Sequence, residues 1–144
     1  MTDFTIDGIA YKAGKINAFE QLAILSKLSP LLTTGLPELL GLLREVKARG
    51  VGVMDLPVEE NIIRLAPLAR ELSKLSEADR RQIIEPCLAV VEKDIGGKFA
   101  LVWNREAGMA VFPEFRDDAI LMLRVVLAVL QGTFGRFFPA SRLN

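Results

Sequence analysis

The residues able to do chemistry in this sequence are few, and their spacing argues against each reaction in turn. Histidine is absent, which removes the commonest general base and the commonest metal ligand together. A Ser-His-Asp or Cys-His nucleophile is therefore impossible, as is a zinc site built on imidazole. The single cysteine, Cys87, cannot form a thiolate zinc site. As a nucleophile it would need a neighbouring Arg or Lys to hold the thiolate. It follows Pro86 within the apolar phase of a helix, which favours a small buried hydrophobe instead.

The carboxylates are no better placed. Glu59-Glu60 and Asp117-Asp118 are adjacent pairs, and adjacent side chains on a helix diverge. Both pairs fall where a helix begins, an end that favours negative charge, so capping is the expected role. A hard-cation site would need more oxygen ligands at loop spacing. Gly96-Gly97-Lys98 is a fragment of a phosphate loop without its first glycine and without the Ser or Thr after the lysine. It also leads into a strand, whereas the motif leads into a helix, so it reads as a hairpin loop. The expectation is a protein without enzymatic activity, cofactor or metal.

Aromatic side chains offer the remaining chemistry, that of binding. Phe134, Phe137 and Phe138 follow Gly132 at the end of the most apolar stretch, with Gly135 among them. They either fold back onto the core or hinge outward as partner anchors, the use that interfaces make of aromatics. Core packing, the commoner fate of Phe, is preferred, and Trp103 is weighed the same way, with core packing preferred.

Positioning these residues falls to one domain, since 144 residues leave little room for two and span 1–144 as a unit. Hydrophobic residues make up 51% of the chain, enough for a core, and charged residues 25%. Lys plus Arg equals Asp plus Glu at 18 each, and this balance argues against sequence-independent nucleic-acid binding. Arg80-Arg81 reads as a solvated helix face. One cysteine allows no intrachain disulfide, which suits a reducing cytoplasm. The opening MTDFTIDG lacks the cationic and apolar parts of a signal peptide. The longest apolar run is too short for a membrane span and carries Arg124 at its centre. A soluble cytoplasmic protein is expected, with no nucleic-acid or membrane partner.

Phe4 to Tyr11 predicts a β-hairpin turning at Asp7-Gly8, with Phe4, Ile6, Ile9 and Tyr11 on one apolar face. Asn17 caps a helix with Glu20 reaching back, and Phe19, Leu22, Ala23, Leu25 and Leu28 form its apolar stripe. Ser29-Pro30 ends that helix or starts a new turn. Pro37 to Arg49 predicts a helix closed by Gly50, followed by a linker to Leu56. A helix kinked at Pro67 is expected from Pro57 to Leu75. Ser76 opens another, running to about Lys93, with Ile83, Ile84, Cys87, Val90 and Val91 inside and a bend from Pro86. Phe99, Leu101 and Trp103 alternate as a strand, Asn104 to Gly108 turns, and Met109 to Phe112 returns. Pro113 stops that strand. Asp117 or Asp118 then caps a helix whose residues from Ala119 to Leu130 are apolar except Arg124, and such a helix belongs in the middle of a bundle.

The fold class expected is α+β, a bundle of about five helices with a small antiparallel sheet from the two hairpin regions. The apolar content exceeds what one small core hides, so part of it should face a partner or a second copy.

Three stretches carry a resemblance to the tail assembly chaperones of long-tailed bacteriophages and prophages. FTIDGIAYKAGKINAFEQLAILSKLSPLL resembles the family's opening, a short hairpin, a capped helix with an aromatic near its start (Phe19) and a Leu-Ser-Pro break (Leu28 to Pro30). LSKLSEADRRQIIEPCLAVVEK resembles its Leu-Ser-acidic turn and Cys-Leu-x-Val-Val helix. VFPEFRDDAILMLRVVLAVLQGTFGRFF is similar to its aromatic strand, apolar helix and Gly-x-Phe-Phe close. The resemblance implies a non-enzymatic assembly factor of the host cytoplasm. Such a protein binds the tape measure protein, helps recruit tail tube subunits and is absent from the finished virion. The alternative is a structural tail-completion or connector component of the particle. Helix-in-groove capture of apolar segments is the physics implied. The family supplies no site residues for Phe134, Phe137 and Phe138 to match.

Overall fold

The computed structural model describes residues 2–32, 66 and 69–134. Within them the architecture is α+β. Strands β1 (Thr2–Ile6) and β2 (Ile9–Ala13) form the expected hairpin, with Ile6 paired to Ile9 and Phe4 to Tyr11. Asp7 and Gly8 stand at φ 52° and 82°, the two positive angles of a type I′ turn. Ile6 and Tyr11 are buried beneath the hairpin, whereas Ile9, at its tip, is exposed.

Helix α1 (Ala18–Leu32) begins where Asn17 Oδ1 accepts the Glu20 N–H at 2.8 Å. Glu20 reaches back to the Asn17 side-chain amide, at 2.9 Å, and not to its backbone N–H as in a capping box. Helix α2 (Glu77–Ala89) is capped as expected, with Ser76 Oγ accepting from the Asp79 N–H at 3.1 Å. It stops earlier than its sequence pattern implies. Val90 turns the chain, and Val91–Asp94 is a strand, β3, instead of a last helical turn. Helix propensity is overruled there by tertiary pairing. β3 bonds to β2 on one side (Tyr11 to Lys93, Lys12 to Glu92) and to β4 (Phe99–Leu101) on the other. Val91 is fully buried as a result.

The sheet order is β1-β2-β3-β4, all antiparallel. The strand expected from Phe99 to Trp103 is broken at Val102. Val102 donates its N–H to Val91 O at 3.1 Å and accepts from the Val111 N–H at 2.9 Å. This residue therefore hands the chain from one sheet to a second, made of β5 (Trp103–Asn104) and β6 (Met109–Ala110). The hairpin patterns predict one shared sheet; two are present among the described residues.

After the short helix α3 (Glu114–Asp117), Asp118 Oδ1 caps α4 (Ala119–Phe134) through the Leu121 N–H at 3.1 Å. Residues 124–130 of α4 are buried on every side, and Ile120 to Leu123 are half-buried. α1 packs on α2, α2 on α4, and α4 reaches β1. An aromatic stack ties the hairpin to α3: Phe4 lies on Tyr11 at 5.4 Å, and Tyr11 meets Phe115 edge-on at 6.2 Å. Lys93 of β3 pairs with Glu114 and sits 4.7 Å from the Phe112 ring centre.

The helix expected from Pro37 to Arg49, the linker after it, and the Pro67 kink lie outside the described residues. Of the Pro57 to Leu75 stretch, residues 69–73 are helical and Leu72 is buried.

Candidate partner-binding surface

The described residues singled out for their chemistry have these places in the fold. Cys87 is fully buried on α2, and burial pushes its thiol up to about 12. A thiol so placed is neutral at physiological pH and inert. Asp118 caps α4. Asp117 closes α3. Glu59 and Glu60 lie outside the described residues. Gly96 and Gly97, at φ 72° and 98°, turn β3 into β4, and the Gly97 N–H is taken by Asp94 Oδ1 at 2.8 Å. Among the described residues no group of three or more Cys, Asp or Glu could hold a metal ion, and no helix is long and apolar enough to cross a membrane.

A hollow of about 290 Å³ lies where α1 starts beside α2 and the β5–β6 turn. Trp103, Pro86 and Ala89 line it, and its rim is closed by two internal ion pairs. Arg105 holds Glu20 at 3.2 Å, and Arg81 holds Glu85 at 2.6 Å. The charges of the rim satisfy one another, so the hollow presents no uncommitted charge of either sign.

The surface that stands out is the outer side of α1. Phe19 is 86% exposed, Leu22 64% and Leu25 42%. These three belong to the apolar stripe that sequence periodicity marks on α1, and they face outward. The side of α1 that is buried carries Ile24, with Leu28 packed beside it and Ile16 just before the helix. The helix has apolar residues on two sides, so an apolar stripe alone does not say which side faces inward. The distribution of charge does. Glu20 and Lys27 are the two charged residues of α1. Each turns toward the body of the protein, Glu20 to Arg105 and Lys27 to Asp79 at 3.1 Å. The exposed residues of α1 with described side chains are Ala18, Phe19, Leu22, Leu25, Ser26 and Ser29, none of them charged. A solvent-facing helix surface normally carries charge, and its absence here makes this side of α1 the candidate surface.

The candidate anchors divide. Phe134 is 3% exposed and belongs to the core, so it cannot serve as a surface anchor in this conformation. Phe137 and Phe138 lie outside the described residues. Trp103 is buried, the preferred of its two readings.

Searches of curated proteins and of solved structures find no match to the chain. A family model described as "Phage tail assembly chaperone protein, TAC" matches residues 7–144. That span runs from the hairpin turn through every helix described above, and the chain belongs to the phage tail assembly chaperone family.

Proposed function

We propose that this protein is a non-enzymatic chaperone that captures apolar helical segments of the tape measure protein on the outer side of α1. In this reading it works in the host cytoplasm and brings tail tube subunits to the growing tail. The observation that carries it is the uncharged face of Phe19, Leu22 and Leu25. A long, largely apolar client needs a surface that hides apolar side chains, and covering each Leu or Phe contributes on the order of 1–2 kcal/mol. In this reading Phe137 and Phe138 are further aromatic anchors, and residues 1–144 act as one domain.

The test is co-expression with a tagged tape measure protein from the same phage. Leu22→Glu combined with Leu25→Glu should abolish co-purification and leave the thermal melt nearly unchanged, because both side chains already face solvent. Undiminished co-purification removes the α1 face from the function. Mass spectrometry of purified particles separates this from a structural tail component, which would be present at fixed copy number.

A further inference from the structure

We propose that the free edge of β1 pairs with the β1 edge of a second copy, so that two chains join antiparallel about a two-fold axis at Phe4. The hydrogen-bond phase of the hairpin decides which groups are open to this. In a two-residue hairpin the residues flanking the turn exchange both backbone bonds, and the exchange recurs at every second residue. Ile6 and Ile9 flank the turn, so Ile6, Phe4 and Thr2 direct their N–H and C=O groups to β2. Asp3 and Thr5 direct theirs to the outer edge, and both residues are exposed. The same phase holds across the sheet, where the Gly14 N–H meets Val90 O at 2.8 Å and the Val102 N–H meets Val91 O at 3.1 Å. The other described edges are short or covered. β4 has three residues, β5 and β6 two each, and Ala110 O of β6 accepts from Arg116 Nε at 3.1 Å. β1 has five residues in unbroken register with β2. It carries no proline, lysine or bulge, the usual means of blunting an edge.

The strand's own residues favour a second copy and select one register. Outward groups must meet outward groups, so Asp3 and Thr5 of one copy oppose odd-numbered residues of the other. Asp3 against Asp3 sets like charges together, and Thr5 against Thr5 opposes Asp3 to Asp7 of the turn. Asp3 against Thr5 avoids both. Each such pair exchanges its backbone bonds, and the Thr5 hydroxyl is a donor for the Asp3 carboxylate beside it. The two pairs are equivalent under the two-fold, as an isologous interface requires. Phe4 then meets Phe4 of the second copy at the position between them, where cross-strand side chains come closest. Phe4 stacks on Tyr11 at 5.4 Å on its β2 side and is only half-buried. The second Phe4 covers the side turned to the edge, and Phe115, Tyr11 and Phe4 continue into the same three rings of the other copy. Two four-stranded sheets become one of eight strands. This contact is smaller than that of a permanent dimer, so the copies exchange.

Sedimentation equilibrium of the full chain tests this. The apparent mass of the wild type should rise with concentration from 15.9 kDa toward twice that value. Thr5→Pro removes an outward N–H that β2 does not use, a change that edge strands tolerate, and should leave the protein monomeric. Two further variants read the register. Thr5→Asp sets a carboxylate opposite Asp3 of the other copy and should raise the dissociation constant about tenfold. Thr5→Lys sets an ammonium there and should lower it. Circular dichroism melts at low concentration confirm that each variant folds. A wild type that stays monomeric at every concentration overturns the proposal, and so does a dimer indifferent to Thr5→Pro or one that Thr5→Lys weakens. Association that survives Thr5→Pro and is lost in Leu22→Glu would lie on the α1 face, and it too overturns pairing through β1.

Discussion

Arg124 Nη1 donates to Asp7 Oδ2 at 3.0 Å, joining the buried middle of α4 to the turn of the N-terminal hairpin. The guanidinium side chain is 4% exposed and the carboxylate 62%. Asp7 therefore serves twice. Its backbone takes the positive φ of the turn, and its side chain supplies countercharge at the surface end of a cation set within an apolar helix. The pair brings together the two ends of the described chain.

Asp7→Asn separates the two services, since Asn tolerates the same backbone angle but carries no charge. We expect a loss of about 1 kcal/mol, the modest figure reflecting how far solvent screens the exposed carboxylate. A chain of this size should then melt roughly 2–4 °C lower. Arg124→Met, which keeps the stem and removes the charge, should be close to neutral or stabilising. A larger loss for Arg124→Met than for Asp7→Asn would mean that the cation, and not the pairing, holds α4 in place.

The two sides of α1 should respond in opposite ways. Ile24→Ala empties a fully buried site and should cost about 2–4 kcal/mol. Leu25→Ser, one residue along and exposed, should stay within about 0.5 kcal/mol. Urea denaturation of both variants at low concentration decides it. Equal losses would mean that α1 is rotated from the orientation described.

Phe134→Ala should cost about 3–5 kcal/mol, the penalty of a large aromatic removed from a core. Val126→Asp, at a fully buried position of α4, should prevent cooperative folding by burying an unpaired charge. A normal melt for Val126→Asp would show that α4 is peripheral.

Glu114 carries an acid-side dependence. Its hydrogen bond from Lys93 holds the carboxyl below its ordinary 4.5, against a smaller opposing push from burial. A depressed value means that the ionised form is favoured by folding. The stabilisation is thus present above pH 4.5 and lost as pH falls through the lower, folded value. Glu114→Gln should flatten the acid limb of the stability curve. An unchanged acid limb would mean that other carboxylates govern it.

Two buried groups act at the alkaline end. Burial first, then the nearby Glu114 and Asp7, push Tyr11 up to about 12, and burial pushes Cys87 to about 12 as well. Folding favours the neutral form of each. The stability this contributes is complete below their ordinary values of 10.0 and 9.0 and is lost as pH rises toward 12. Tyr11 is the sole tyrosine, so phenolate absorbance reports it directly. At roughly pH 10.5, between the two ends of that window, phenolate should be absent from the native protein and appear on adding denaturant. Cys87 should likewise resist a thiol reagent until unfolding. Prompt stoichiometric labelling in native buffer would contradict the burial.

Local chemistry makes several features of this protein legible in its sequence. Asp7-Gly8 demands a tight hairpin, Asn17, Ser76 and the pair Asp117-Asp118 announce helix starts, and the absence of histidine narrows the chemistry. These depend on neighbours within a few residues, and neighbours are what a sequence displays. The family resemblance is legible too, in the hairpin, the Ser76 turn and the apolar helix.

Other features belong to long-range pairing. Val91–Asp94 reads as the tail of a helix and becomes a strand because β2 and β4 lie on either side to receive its hydrogen bonds. Val102 breaks one strand into two sheets because Val91 and Val111 claim its backbone groups from different directions. The inward side of α1 is decided by where α2 and Arg105 stand. Ile24 is taken into the core, and Phe19, Leu22 and Leu25 are left to the surface. Periodicity reports that a helix has an apolar stripe; only the packed neighbours determine which of two stripes is covered, since burial is a property of the pair of surfaces and not of either one alone.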